Sequence, residues 1–301
     1  MLSILIPTFN YDIRKLVFDL YNQASALNVD FEIVAVEDGS TEFLKENCQI
    51  ESLKNVKYEV LPQNIGRAAI RNYLINNAIY DYLLFLDCDS EICNPDFLKR
   101  YIENCNKNCV INGGITYDWS KKNPKYSLRF KYGKLREAKT AQERINQKFS
   151  FTTFNLLIYR QIFNKIHFDE QIKTYGYEDL QLGYCLIKSG YNITHIDNML
   201  IHKGLDENHI FLQKAETGIK NLLKLYKSPE YPNLKEFSKI LSIFFKIEKL
   251  KLNTVIAFLY RIFKRFIIKN LTGNNPSLFL FDFYKLGILC NIEKNIKQTK
   301  T

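Results

Sequence analysis

The chain is 301 residues long, 46% hydrophobic and 25% charged, which allows a sizeable packed core and excludes a disordered polyelectrolyte. Its net charge of +10 is confined to one end: residues 221–301 hold fifteen Lys/Arg against five Asp/Glu, whereas residues 1–220 balance at 27 of each. Seven cysteines without a C-x-x-C pair and four scattered histidines exclude a zinc ribbon or a disulfide framework, leaving reduced thiols in a cytoplasmic compartment as the expectation.

Met1 runs into the apolar stretch 2–6 without a basic leader, so no signal peptide is expected, and Pro7-Thr8-Phe9-Asn10 breaks that strand. Ile13, Leu16, Val17, Leu20 and Ala24 then repeat at helical spacing. A second strand over 31–36 ends in Glu37-Asp38-Gly39-Ser40, and a third over 56–61 ends in Pro62-Gln63-Asn64-Ile65-Gly66. Helical spacing returns over 67–79. Next come five consecutive apolar residues, Tyr82 to Leu86, the pattern of a strand buried on both faces, followed at once by Asp87-Cys88-Asp89-Ser90. Strands alternating with helices in this way predict a mostly parallel, helix-covered α/β sheet. Three of the strands end in turns rich in Asn or Asp, and in such sheets ligands bind beyond the carboxyl ends of the strands.

Residues 95–106 predict a helix and 109–116 one strand containing Gly113-Gly114, after which 117–148, with the single Trp119, looks like a polar insertion ahead of a short helix. A strand is expected over 151–159 and a helical turn over 160–165. Tyr175-Gly176-Tyr177-Glu178-Asp179 opens the next helix, which stops at Gly190; its acids suit the positive end of the helix dipole. Short strands over 191–196 and 199–202 lead to His202-Lys203-Gly204, then a helix from Glu207 to about Tyr226. Beyond Lys227 the composition turns basic and aromatic. Within 241–269, Arg261, Lys264, Arg265 and Lys269 fall on one helical face and Phe258, Leu259, Ile262, Phe263, Phe266 and Ile267 fill much of the remainder.

Taken in order, Ile6-Pro-Thr-Phe-Asn10, Val36-Glu-Asp-Gly-Ser40, Asn64-Ile-Gly-Arg-Ala-Ala-Ile-Arg-Asn72, Phe85-Leu-Asp-Cys-Asp89, Gly176-Tyr-Glu-Asp179 and His202 resemble the signatures of a family 2 glycosyltransferase with the GT-A fold. The resemblance covers about residues 2–220. It implies a catalytic domain over 1–220, with a nucleotide-binding half (1–110) and an acceptor-binding half (111–220), followed by a basic helical extension over 221–301.

By resemblance, the reaction moves one sugar from a nucleoside diphosphate, UDP being the favoured carrier, to a hydroxyl of a glycan or lipid-linked glycan. A divalent cation, Mn²⁺ or Mg²⁺, would neutralise the departing diphosphate. Asp89 is expected to ligate it, Asp87 to approach the ribose or the metal, and His202 to complete the coordination or meet the diphosphate. Pro7 and Phe9 would line the nucleobase, and Asp38 would accept a hydrogen bond from a uracil-like N–H. Glu37 departs from the usual Asp before it, which loosens the inference about the base. Arg67 and Arg71 lie one helical turn apart, so one can fork onto a phosphate while the other pairs with an acid. Asn64 and Gly66 suit a tight turn close to the nucleotide. Asp179 is the expected general base, with Glu178 assisting it or holding acceptor hydroxyls, and the reaction is expected to invert configuration.

Two other readings stand beside this one. A nucleotidyltransferase shares acidic metal ligands, but it calls for a glycine-rich phosphate loop and Pro7-Thr8-Phe9-Asn10 has no glycine. A catalytically silent relative would bind nucleotide or glycan as a scaffold. The family's processive synthases carry Q-x-x-R-W and membrane spans, and neither occurs here, so one sugar per encounter is expected. The basic aromatic stretch suits an anionic membrane surface on the cytoplasmic face, or a helix packed on the catalytic domain. No nucleic-acid partner is expected, since no recognised binding module accompanies it.

Overall fold

The computed structural model describes residues 1–118, 120 and 123–298; Trp119, with Lys121, Lys122 and Lys300, lies outside them. The chain folds as two units interleaved in sequence. The first comprises Met1–Asp118, Ala138–Lys173 and Gln181–Gly204, and the second Trp119–Glu137, Thr174–Leu180 and Leu205–Thr301.

The first unit is built on strands β1 (Leu2–Thr8), β2 (Phe31–Glu37), β3 (Val56–Val60), β4 (Tyr82–Leu86), β5 (Ser90–Ile92), β6 (Val110–Asn112), β7 (Ile115–Thr116), β8 (Asn155–Tyr159), β9 (Ile193–His195) and β10 (Leu200–His202). Seven form a sheet in the order β3-β2-β1-β4-β8-β6-β9, and a smaller sheet runs β5-β10-β7. β1 to β4 are mutually parallel where they pair, while β8 lies antiparallel to both β4 and β6. Leu83, Leu84, Phe85 and Leu86 have no exposed surface, as their unbroken apolar run requires of a strand covered on both faces.

From β1 the chain steps outward to β2 and β3, then returns through helix Arg67–Asn77 to pair β4 with the other edge of β1. The direction of winding therefore reverses between β1 and β4, and a crevice opens at such a switch point beyond the strand ends. Thr8 pairs with Glu37 and Leu5 with Phe85, so the turns after β1, β2 and β4 emerge at one edge.

Three expected elements differ in detail. The stretch 109–116 divides into β6 and β7, which belong to different sheets. Gly113 and Gly114 cause the division: Gly114 has φ +89°, and a Cβ on Gly113 would stand within 2.5 Å of the Asn155 amide nitrogen. Residues 151–154 lie outside β8: the Thr152 carbonyl accepts from the Asn112 amide (2.7 Å) and Phe154 N–H bonds to Thr152 Oγ1 (3.2 Å), while the Phe154 carbonyl reaches the neighbouring backbone at Asp87 N–H (3.2 Å). The polar insertion contains helices Ser127–Tyr132 and Ala141–Ile145, the second closed by a capping box between Thr140 and Glu143.

The second unit packs helices Asn208–Lys227, Lys239–Lys249, Asn253–Leu271 and Leu278–Gln298. Tyr132, Phe211 and Phe281 meet ring to ring at 5.4–5.6 Å in its core. Asn208 ties the helices to segment 124–128, accepting from Leu128 N–H (2.9 Å) and donating to the Pro124 carbonyl (2.9 Å). Helices Lys239–Lys249 and Asn253–Leu271 are separated at Leu250–Leu252. There Leu252 N–H bonds to the Ile247 carbonyl and Lys251 N–H to that of Glu248, a Schellman ending with Lys251 left-handed at φ +56°. Among the described residues no helix is long and apolar enough to cross a membrane.

Candidate active site

The turns at the edge of the large sheet are fastened to one another before any ligand is considered. Asp38 N–H bonds to the Thr8 carbonyl (2.7 Å) and Asn10 N–H to Ser40 Oγ (3.0 Å). Pro7 is half-buried at the end of β1, while the Phe9 ring is largely exposed beside it. Tyr11, in the same turn, has its phenol pushed up to about 12 by burial and by negative neighbours led by Asp89, so it remains a proton donor across the physiological range.

Asp38 holds the turn before helix Arg67–Asn77. Its carboxylate accepts from Ile65 N–H (2.7 Å) and Gly66 N–H (3.2 Å), and Asn64 donates to its carbonyl (2.9 Å). Burial raises the Asp38 pKa, and the two backbone donors pull it partly back. Gly66 sits at φ +94° and Gly39 at φ +69°; a Cβ on Gly39 would come within 2.3 Å of Asn64 N, so only glycine lets these turns approach so closely.

Beneath Asp38, Glu37 is fully buried. Its oxygens receive Ser40 Oγ (2.5 Å), Asn47 Nδ2 (2.7 Å) and the Tyr58 hydroxyl (3.1 Å). The same Asn47 accepts from Ile13 N–H (3.0 Å) and donates to the Tyr11 carbonyl (2.8 Å), binding the first turn to the second. The longer side chain in place of Asp is thus absorbed by a complete set of donors.

Helix Arg67–Asn77 aims both of its arginines at the strand next door. Arg71 Nη2 donates to Asp87 Oδ1 (2.7 Å) and Arg67 Nη2 to Asp87 Oδ2 (3.1 Å), one cation on each oxygen. Arg71 is only 1% exposed and also packs over the Phe168 ring. Its Nε is buried with no partner among the described residues. Removing Asp87 would leave the buried Arg71 guanidinium without its carboxylate, the costly way to break a buried pair. Both arginines pair with Asp87, the acid partner expected for one of them.

Asp89 and His202 come together through the small sheet. β10 pairs antiparallel with β5 so that His202 faces Ser90, the residue after Asp89. His202 Nε2 stands 3.1 Å from Asp89 Oδ2, and Lys203 N–H bonds to the Asp89 carbonyl (2.8 Å). Tyr117 and Phe154 pack on the imidazole at 5.6 and 5.4 Å, and its Nδ1 is buried without a protein partner. A Cβ on Gly204 would fall 2.2 Å from Asp89 Oδ2, so this glycine leaves room for the carboxylate. Two ligands on adjacent corners of an octahedron with ~2.1 Å bonds stand ~3.0 Å apart, and the Asp89–His202 pair fits that spacing. No cluster of three or more His, Cys, Asp or Glu side chains is gathered among the described residues. A hard cation held by two protein ligands completes its shell with water and substrate phosphates.

Glu178 and Asp179 lie in the second unit, at the start of helix Glu178–Lys188. The turn before them carries two consecutive left-handed residues, Gly176 at φ +103° and Tyr177 at φ +74°. An aromatic residue in that region is strained, and its surroundings hold it there. Asn221 Nδ2 lies within reach of the carbonyls of Thr174, Tyr175 and Gly176 (3.0–3.3 Å), and its Oδ1 accepts from Thr174 Oγ1 (3.1 Å). One turn earlier on the same helix, a Cβ on Gly218 would press to 3.2 Å on the Tyr177 ring. Glu178 is buried and accepts from Gly176 N–H (3.1 Å), while Asp179 is half-buried.

Sequence reasoning missed Asn47, Tyr58, Gly204 and Asn221. The signal for Gly204 was its place directly after His202-Lys203; the other three act from elements with no motif of their own.

Residues 3–167 match the model of glycosyl transferase family 2. A chondroitin synthase of Escherichia coli is 28% identical over 238 residues, covering 67% of this chain and 34% of that protein. A second chondroitin synthase, from Pasteurella multocida, is 27% identical over 65% of this chain and 24% of its own length. The chain therefore spans about a third or less of these relatives. Among solved structures, a Pyrobaculum calidifontis mannosyltransferase in complex with GDP-Man and Mn²⁺ superposes with a TM-score of 0.59 at 13% identity, covering 98% of this chain and 86% of that one. At that identity the likeness is one of fold.

Proposed function

The chain belongs to glycosyl transferase family 2, and from that premise we propose that it is an inverting, metal-assisted enzyme moving one sugar from a UDP-sugar to a hydroxyl of a glycan or lipid-linked glycan. The observation that carries this reading is the Asp89–His202 pair beside an arginine-clamped Asp87, at the switch point of a nucleotide-binding type of sheet. The mannosyltransferase neighbour was solved with a nucleotide sugar and Mn²⁺, in keeping with such a site.

In this reading Asp38 accepts the base N–H through the lone pairs left by Ile65 and Gly66, and Pro7 and Phe9 flank the base. Arg67 and Arg71 fix Asp87 for the ribose side of the nucleotide, and Asn64 and Gly66 shape the turn against which it lies. Asp89 and His202 hold Mn²⁺ or Mg²⁺, which when bound offsets the charge gathering on the diphosphate. Asp179 takes the proton of the acceptor hydroxyl as that oxygen attacks the anomeric carbon. The carbon–oxygen bond to the diphosphate breaks on the opposite face, so configuration inverts. Glu178, bonded to Gly176, steadies the turn from which Asp179 projects. Acceptors anchored to lipid would be met at an anionic membrane surface through the basic segment 241–269, on the cytoplasmic side.

The test is Asp179→Asn. UDP release from a panel of UDP-sugars, with chondroitin oligosaccharides as the acceptor probe, should fall by roughly 10²–10⁴-fold. The Mn²⁺-dependent thermal shift by UDP should stay unchanged. Undiminished turnover would remove Asp179 as the base.

A further inference from the structure

Helix Asn253–Leu271 has two faces. Ala257, Tyr260, Ile267 and Leu271 are buried inside the second unit, where Gly287 on helix Leu278–Gln298 lets the Tyr260 ring approach so closely that a Cβ would stand 2.5 Å away. The helix is therefore anchored along one side, which accounts for its buried apolar residues and leaves the exposed ones unexplained. Phe258 is 55% exposed, Ile262 55% and Phe266 64%. Steps of four residues place these three along one outward stripe. Arg261, Arg265 and Lys269, all exposed, flank it at the same spacing.

An exposed row of large apolar side chains marks a surface that meets something. What it meets is decided by the charge. A second copy of this chain pairing face to face would bring two rows of arginine and lysine together in one interface, where like charges oppose docking. Residues 221–301 carry a net charge of +10, so the partner must be both anionic and apolar just beneath its charged layer. A bilayer containing acidic phospholipid is both: basic side chains meet the headgroups while phenylalanine and isoleucine enter the boundary with the acyl chains.

We propose that the outward face of helix Asn253–Leu271 is a lipid-docking surface, on which the helix lies flat at the interface of an anionic membrane, held by its other face to the second unit. The surface deepens the acceptor part of the proposed function by naming the residues that reach the membrane. Its measurement needs neither nucleotide nor sugar, so the two readings can fail separately.

The experiment is co-sedimentation of the full chain with phosphatidylcholine vesicles, with and without about 30 mol% phosphatidylglycerol. Two triple variants accompany it, Phe258→Ser/Ile262→Ser/Phe266→Ser and Arg261→Gln/Arg265→Gln/Lys269→Gln. All six positions are exposed, so circular dichroism and the thermal melting midpoint should match the wild type. The wild type should bind the anionic vesicles at least tenfold more tightly than the neutral ones, and added salt should weaken it. Each triple variant should lose tenfold or more of that binding. Absence of wild-type binding, or equal binding by the variants, would overturn the proposal. So would self-association in sedimentation velocity that the Phe258/Ile262/Phe266 variant abolishes while vesicle binding is lacking, since the face would then belong to a second copy.

Discussion

Asp38 is asked to do two things that its surroundings set against each other. Reading a base N–H requires the carboxylate, yet burial favours the neutral acid, and the Ile65 and Gly66 donors offset only part of that. Its raised pKa means that protonation sets in at higher pH than for an ordinary aspartate. Nucleotide affinity, measured by titration with UDP, should accordingly decline on acidification sooner than an unperturbed carboxylate would dictate. In Asp38→Asn affinity should be lower throughout and flat over the same range. A wild-type profile unchanged down to the usual aspartate range would remove Asp38 from base recognition. This residue was legible in the sequence because it sits in a contiguous motif, Val36 to Ser40. Its supports were not: Asn47 and Tyr58 reach Glu37 from 10 and 21 residues away, a coupling that only the folded chain displays.

At the scale of single elements, the turn 174–177 shows how a helix can shape a loop that carries chemistry. Helix Asn208–Lys227 offers a side-chain amide to three carbonyls at Asn221 and a bare backbone at Gly218, and between them Gly176 and Tyr177 are kept left-handed. Asn221→Asp retains the shape and removes the amide donors, so it should lower kcat by about tenfold or more with donor KM unchanged. A fall in nucleotide affinity of the same size would show that the turn has a wider structural role. Strands and helices were read from the sequence wherever one period ran through a whole element, as in β4 and in helix Arg67–Asn77. They were misread where local bonding or a glycine turn interrupts the period: at Gly113-Gly114 and at segment 151–154.

For the whole molecule, order along the chain and grouping in space diverge. The charge step near residue 220 is plain in the sequence, yet segments 119–137 and 174–180 group with the basic helices rather than with their neighbours in sequence. Local patterns cannot show this, because the grouping rests on contacts such as Asn208 with Pro124 and Asn221 with Thr174, made between residues 47 to 84 positions apart. One consequence is a separation of tasks. The proposed nucleotide and metal ligands all lie in the first unit, and the proposed base and lipid-docking helix in the second. Substitutions that cripple proton transfer or membrane docking should therefore leave nucleotide binding intact.

The central claim is that Asp89, set against His202 by the β5–β10 pairing, couples a divalent cation to the nucleotide. Calorimetric titration of UDP into the wild type and Asp89→Ala, each with and without Mn²⁺, addresses it directly. In the wild type Mn²⁺ should tighten UDP by about tenfold or more, some 1.4 kcal/mol, and in Asp89→Ala that increment should vanish while metal-free affinity stays nearly the same. An Asp89→Ala protein that keeps the full Mn²⁺ increment would contradict the account.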